Sequence, residues 1–227
     1  MRTVYVNGDY VPEDQARVSV FDRGFLFADG VYEVTSVLDG KLIDFGGHCN
    51  RLRRSLGELE MRLDLSDEDL LAIHRELVAR NDIDEGMVYL QVTRGAADRD
   101  FVFPPEDTPP TVVLFTQKKP LIESALAARG QKVITIEDKR WSRCDIKTVQ
   151  LLYPSLAKME AKAKGADDAW LVRDGFVTEG SSNNAYIVTS DGTIVTRDIS
   201  SLILSGITRQ AVLECARDLQ MKIEERP

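Results

Sequence analysis

Short runs of alternating apolar residues open the chain and predict antiparallel strands joined by tight turns. Val4-Tyr-Val6 runs into Asn7-Gly8, and Val31 to Leu38 runs through Asp39-Gly40 into Lys41–Phe45. Asn-Gly and Asp-Gly accept the positive φ values that two-residue hairpins demand. Between these strands, Phe21–Gly30 has two glycines and little periodicity, which predicts a shaped loop, either a binding surface or a hydrophobic plug under the sheet. From His48 to Met61 the period changes: Leu52, Leu56 and Leu59 recur at helical spacing. Arg51, Arg53 and Arg54 then fall in the first turns of the predicted helix, against its dipole. A bound anion relieves that conflict, and plain solvent exposure makes it cheap. Ser66-Asp-Glu-Asp69 fits a capping box for a second helix with Leu70, Ile73 and Leu77 on one face and His74 beside them as a surface residue.

Met87–Thr93 and Thr111–Thr116 read as strands flanking a proline-rich loop that a central strand cannot contain. Gln117-Lys-Lys-Pro120 is polar and proline-punctuated, the best place for a boundary. Beyond it the pattern predicts a helix over Ile122–Ala128, a strand over Lys132–Ile136 and a helix over Ser155–Lys164, which Pro154 starts and Gly165 ends. Strands follow at Ala169–Val172, Phe176–Glu179, Ala185–Thr189 and Ile194–Thr196, with Asp174-Gly175 and Asp191-Gly192 as hairpin turns. Gly206 opens a helix over Ile207–Leu219, and Met221–Glu224 is a last strand. The expected fold is α+β in two parts: residues 1–116, a linker over 117–121, and residues 122–227.

Composition narrows the partners. The 227 residues are 43% hydrophobic and 29% charged, those of a globular protein, and the net charge of −8 argues against nucleic acid or an anionic membrane. No apolar run is long enough to span a membrane, and there is no signal-peptide core. Three cysteines without CxxC spacing and two histidines without an HExxH motif predict neither a disulfide framework nor a metal site, and suit a cytoplasmic protein.

The candidate chemistry begins at Lys147, set among Ile146, Val149, Leu151 and Leu152. A lysine there is paired, snorkels to water, or is held neutral so that its amine can react; an ordinary solvated side chain is the common case. Three other features weigh against the common case. Glu179-Gly-Ser-Ser-Asn-Asn184 puts a carboxylate at a strand end. Ser205-Gly-Ile-Thr-Arg209 is a glycine-led turn into a helix whose free N–H groups suit a phosphate. Arg51 is a cation in a region with no other evident need of one. Lysine, carboxylate and phosphate cradle together are what pyridoxal 5'-phosphate requires.

Five motifs in order carry a resemblance that spans nearly the whole chain: Asp22-Arg-Gly-Phe-Leu-Phe-Ala-Asp-Gly-Val-Tyr-Glu33, His48-Cys-Asn-Arg-Leu52, Cys144-Asp-Ile-Lys147, Val177-Thr-Glu-Gly-Ser-Ser-Asn-Asn184 and Gly206-Ile-Thr-Arg209. The chain resembles the fold type IV pyridoxal-phosphate transaminases, the group of the D-amino-acid, branched-chain and (R)-amine transaminases and aminodeoxychorismate lyase. The resemblance implies that Lys147 is the Schiff-base lysine and that Glu179 pairs with the pyridine nitrogen. It implies that Arg51 and the backbone of Ile207 and Thr208 hold the phosphate, that Leu204 packs on the ring, and that Ser182 and Asn184 brace the cofactor. It also implies a ping-pong exchange of an amino group between an amino acid and a 2-oxo acid, with the released lysine moving the proton, and a homodimer. A branched-chain or (R)-amine transaminase is the runner-up reading, aminodeoxychorismate lyase the third, and an inactive cofactor-binding relative the non-enzymatic alternative.

The stretch Val92–Pro104 is most similar to the D-amino-acid transaminases, where an arginine and a tyrosine trap the α-carboxylate; Arg99 and Tyr32 stand at those positions. The family pattern has a histidine two residues past the arginine. Phe101 stands there instead and removes a donor. Family members also continue past the position of Pro227 with a further strand–helix unit, so a chain ending there is expected to have an open sheet edge and a weaker phosphate site.

Overall fold

A computed structural model describes all residues but Ser124 and divides into two compact units, Met1–Ser124 with Lys147–Val149, and Ala125–Ile146 with Gln150–Pro227. In the first unit come β1 (Thr3–Val6), β2 (Asp9–Pro12), α1 (Arg23–Phe27), β3 (Gly30–Leu38), β4 (Lys41–Leu42), α2 (Phe45–Glu58), α3 (Asp67–Arg80), β5 (Gly86–Thr93) and β6 (Thr111–Lys118). The strands form one antiparallel sheet in the order β2-β1-β6-β5-β3-β4. The predicted turns hold: Asp39 (φ 49°) and Gly40 (φ 68°) both adopt the left-handed conformation such a hairpin needs. Helix α2 packs on β3 and α3 on β1, β5 and β6. Leu52, Leu70, Leu77, Val88, Leu90 and Leu114 fill the core between them.

Several expectations change here. Residues 21–30 are not all loop: Asp22 Oδ1 accepts from Gly24 N at 2.8 Å and caps the five-residue α1, too short to show a period. Helix α2 begins at Phe45, so Arg51, Arg53 and Arg54 lie in its middle and end, not its first turns, and the expected dipole conflict disappears. The capping box is present, with Ser66 and Asp69 bonded reciprocally. His74, expected at the surface, is buried (1% exposed), because Leu70, Ile73, His74, Leu77 and Val78 share the inward face of α3. Its Nδ1–H donates to Leu70 O at 2.7 Å, and its ring meets Phe45 edge-on at 5.0 Å. Burial holds His74 down at about 4, against the help of the Leu70 carbonyl. The expected linker at 117–121 falls within the first unit: β6 runs through Lys118, and Glu85 Oε1 accepts from the N–H groups of Leu121 (2.5 Å) and Ile122 (2.9 Å).

The second unit holds α4 (Ala125–Arg129), β7 (Val133–Glu137), α5 (Leu152–Ala163), β8 (Asp168–Arg173), β9 (Phe176–Gly180), β10 (Tyr186–Val188), β11 (Ile194–Thr196), α6 (Ile207–Asp218) and β12 (Ile223–Glu225). The predicted helix over 122–128 begins only at Ala125, and Ser124 within it lies outside the described residues. Two three-stranded sheets run β7-β8-β9 and β10-β11-β12. Each contains one parallel pair, β7 with β8 and β11 with β12, whose crossover contains a helix, α5 and α6 respectively. Ala157 and Ala161 of α5 pack on Ala169 and Leu171 of β8, a close approach that small side chains permit.

Candidate active site

In the first unit the site is built on β3. The first residues of this strand pair with β5 on one side. On the other side they meet Lys147–Val149: Tyr32 N donates to Lys147 O and Val149 N to Gly30 O, each at 3.0 Å, around a bridge between Val31 and Thr148. Lys147 N also donates to Ser55 Oγ of α2 at 3.3 Å. A three-residue stretch is thus pinned along β3 by an isolated bridge, and the Lys147 side-chain nitrogen lies 4.0 Å from the centroid of the Tyr32 ring. Tyr32 itself stacks on Tyr89, and Tyr89 on Phe115, across the sheet.

The residue after Tyr32 is Glu33, 2% exposed, at an inward position of β3. Arg51 donates to it through Nε (2.8 Å) and Nη2 (2.7 Å), and His48 through Nδ1 (2.7 Å). His48 and Arg51 are three residues apart on α2 and so share a helix face. Burial works against the Glu33 charge, but the hydrogen bonds of Arg51 and His48, with the charges of Arg51 and Lys147, outweigh it and hold the carboxyl below its ordinary range. The cation at Arg51 therefore has its local reason in Glu33. Tyr32, Arg51 and Lys147 stand in one cluster, to which Glu33 and His48 are additions the sequence reading did not assign. The signal was there: a glutamate in the inward series Val31, Glu33, Thr35, Val37 needs a cationic partner.

Arg99 and Phe101 lie on the exposed loop after β5. The Arg99 guanidinium carbon is 5.3 Å from the Phe27 ring centroid and 5.5 Å from that of Phe101, and the two rings meet edge-to-face at 5.6 Å. Phe101 offers ring faces where a histidine offers a donor. Beneath this loop Asp29 Oδ2 binds both Arg23 Nε (2.7 Å) and Arg94 Nε (2.8 Å), and Arg23 Nη1 donates to Asp100 O at 2.7 Å.

In the second unit Glu179 ends β9, 5% exposed. Its Oε1 accepts from Arg140 Nη1 at 2.5 Å; its Oε2 accepts from Asn184 Nδ2 at 3.0 Å and Leu204 N at 3.1 Å. Asn184 Nδ2 also donates to Leu204 O at 2.9 Å, so Glu179, Asn184 and Leu204 are brought together. Burial raises the Glu179 carboxyl above its ordinary value, and Arg140 opposes the rise without cancelling it. Ser182 is exposed; the hydroxyl that braces this turn is that of buried Ser181, bonded to Asp168, with Asn183 Nδ2 on Asp168 Oδ2 at 2.8 Å. Helix α6 begins at Ile207 after Gly206, and no side chain caps it, so the N–H groups of its first turn have no side-chain acceptor there. A Cβ on Gly206 would stand 2.3 Å from Asn184 Oδ1. Ile207 is buried and Thr208 exposed at this helix start. Arg140 was missed because its partner Glu179 lies about forty residues away along the chain, and Asp138 because it is linked to Glu179 through Arg140.

The sequence profile of the amino-transferase class IV family matches residues 30–227. The D-alanine aminotransferase of Staphylococcus aureus strain MSSA476 is 40% identical over 225 residues, covering 99% of this chain and 79% of the relative. That of Bacillus licheniformis is 39% identical over 224 residues, with 98% and 78% covered. Among solved structures, the T.th. branched-chain amino acid aminotransferase complexed with N-(5'-phosphopyridoxyl)-L-glutamate superimposes with a TM-score of 0.87 at 26% identity, covering 99% of this chain and 76% of that one. A pinned lysine beside a tyrosine, a buried carboxylate at a strand end and an uncapped helix start thus occur in a chain that belongs to the class IV aminotransferases.

Proposed function

We propose that the protein moves the amino group of a D-amino acid such as D-alanine to a 2-oxo acid by a ping-pong exchange, with pyridoxal 5'-phosphate as cofactor. The observation that carries this reading is the Lys147 amine, pinned on the edge of β3 with its nitrogen 4.0 Å from the Tyr32 ring centroid. The D-alanine aminotransferases near 40% identity support the substrate class, and the phosphopyridoxyl ligand of the solved relative supports the cofactor. Each unit carries residue types that suit that cofactor: the first an amine for its carbonyl and an arginine for its phosphate, the second a buried carboxylate for its ring nitrogen and an uncapped helix start for its phosphate.

In this reading Lys147 would hold the cofactor at its carbonyl carbon, and its neutral amine would move the proton of the substrate Cα. Glu179 would face the ring nitrogen and favour a proton there. Arg51 in the first unit, its direction fixed by Glu33 and His48, and the N–H groups of Ile207 and Thr208 in the second would each offer the phosphate a donor. Leu204 would cover a ring face, Asn184 would hold Glu179 and Leu204 together, and the exposed Ser182 hydroxyl would be open to the cofactor. Tyr32 and Arg99 take the α-carboxylate, and Phe101 packs its ring on the guanidinium. Bound there, the cofactor supplies the electron sink that makes the substrate Cα–H acidic. The exposed Phe25, Phe101 and Val102 (76%, 79% and 72%) support a homodimer, measurable by light scattering.

The test is turnover of D-alanine, L-leucine and an (R)-amine against common 2-oxo acids, in the wild type and in Lys147→Ala. D-alanine is expected to be the preferred donor, and the variant to lose both turnover and the visible absorbance of the bound cofactor. Turnover surviving in Lys147→Ala sinks the assignment of the lysine. Preference for L-leucine or the amine sinks the substrate class.

A further inference from the structure

A row of buried charges stands behind Glu179. Arg173 Nη2 lies 3.5 Å from Asp138 Oδ1, Arg140 Nη2 lies 2.8 Å from Asp138 Oδ2, and Arg140 Nη1 lies 2.5 Å from Glu179 Oε1. Arg140 Nε also donates to Asp138 Oδ1 at 2.9 Å, so Asp138 holds the guanidinium by two of its nitrogens while the third reaches Glu179. Thr178 Oγ1, next to Glu179 in sequence, donates to Asp138 Oδ2 at 2.8 Å and ties β9 to the same carboxylate. Arg140 and Glu179 side chains are 11% and 7% exposed, and Asp138 is fully covered.

We propose that Arg140 is a positioning residue: it keeps the Glu179 carboxylate ionised and so drives the proton shared by Glu179 and the cofactor's ring nitrogen onto the ring. The proposal rests on the reading of Glu179 as the partner of that nitrogen. One proton is at issue, with the carboxyl O–H bond breaking as the ring N–H bond forms, and no other reactant is required. A cation in contact with a carboxylate stabilises its anion more than it repels a proton on the carboxylate's farther partner, because Coulomb energy falls with distance. Without that cation, burial favours the neutral acid. The charged groups facing Glu179 are Arg140 and, behind it, Asp138, with Arg173 on the far side of Asp138. Asn184 and Leu204 contribute neutral N–H donors. Burial opposes the charge on Arg140, but Asp138 and Glu179 outweigh it and hold the guanidinium above its ordinary value. A planar fork that reaches two carboxylates through three nitrogens is a geometry a lysine ammonium does not reproduce.

The test is the ¹⁵N NMR shift of the ring nitrogen in holoenzyme loaded with ¹⁵N-labelled pyridoxal 5'-phosphate, near neutral pH. Wild type is expected to show a protonated ring nitrogen. Arg140→Gln is expected to move the shift toward the unprotonated pyridine and to lower kcat on the order of tenfold, the effect of about one pKa unit at the shared proton. Arg140→Lys, which keeps the charge, is expected to fall between them. Arg140→Gln leaves Asp138 buried with less compensation; if it fails to fold, the double variant Asp138→Asn with Arg140→Gln removes both charges and is expected to show the same unprotonated shift. A protonated ring in wild type, lost in Glu179→Gln but intact in Arg140→Gln or the double variant, overturns the role of Arg140 and leaves that of Glu179 standing. A shift indifferent to Glu179→Gln overturns the reading of Glu179 and the proposal with it.

Discussion

Glu33 and Glu179 are both nearly inaccessible, 2% and 5% exposed, and both bind an arginine, yet one carboxyl is held below its ordinary range and the other above it. The difference lies in how cationic charge is shared. Around Glu33 stand Arg51 with two bonds, His48 with one, and the charge of Lys147. Glu179 receives one bond from an arginine that gives its other edges to Asp138. Both carboxyls are nearly inaccessible, so the hydrogen bonds and neighbouring cations at each decide the sign. The first arrangement fixes the direction of Arg51; the second leaves the charge of Glu179 dependent on Arg140.

The largest effect expected from this difference is on stability. Glu33→Ala leaves Arg51 and His48 buried without their carboxylate and should lower unfolding free energy by about 3–5 kcal/mol. Glu179→Ala leaves Arg140 on Asp138, and the expected loss is about 1–3 kcal/mol. Urea midpoints at constant m-value read both; equal losses would mean that the sharing of Arg140 has no consequence.

His74 gives the next effect. Its folded value of about 4 lies below the ordinary 6.5, so between those values the unfolded chain takes a proton that the folded chain refuses. Stability is therefore full above pH 6.5 and should fall by about 3 kcal/mol as pH drops to 4. Glu33 acts in the same direction lower down, its contribution present above the unfolded carboxylate value and lost as pH falls through its depressed folded value. In His74→Asn, whose amide can still donate to Leu70 O, the drop between 6.5 and 4 should vanish from the urea-midpoint profile while the lower one stays.

A smaller effect follows from the helix start in the second unit. Gly206→Ala puts a Cβ 2.3 Å from Asn184 Oδ1 and forces Asn184 away from Glu179 and Leu204. Cofactor affinity should weaken by about 1–3 kcal/mol, on the scale of overpacking, with the circular-dichroism spectrum unchanged. Unaltered affinity by fluorescence titration would remove this turn from the cofactor site. Ser182→Ala is the smallest: the exposed hydroxyl predicts a stability change within about 0.5 kcal/mol. Ser181→Ala, which deprives buried Asp168 of a donor, should exceed it.

Local signals were readable from sequence and long-range ones were not. Asn7-Gly8, Asp39-Gly40 and the Ser66–Asp69 capping box carry their geometry in neighbouring residues, and the corresponding turns and helix start are present. Helix α1 was hidden because five residues cannot display a 3.6-residue period. His74 was misplaced because a histidine four residues from Leu70 was read by its polarity rather than by its helix face. The candidate lysine, carboxylate and helix start were found through motifs, each a contiguous segment. Arg140 belongs to no such segment's logic: its partners Asp138 and Glu179 come from the end of β7 and from β9, and only the folded second unit brings them to one guanidinium.

The central claim, that Lys147 is the residue that carries the cofactor, is tested most directly by borohydride reduction of the protein loaded with pyridoxal 5'-phosphate, followed by peptide mass mapping. A phosphopyridoxyl group is expected on Lys147 and on no other lysine. Stoichiometric label on a different lysine, or no label in a protein that still turns over D-alanine, would contradict it.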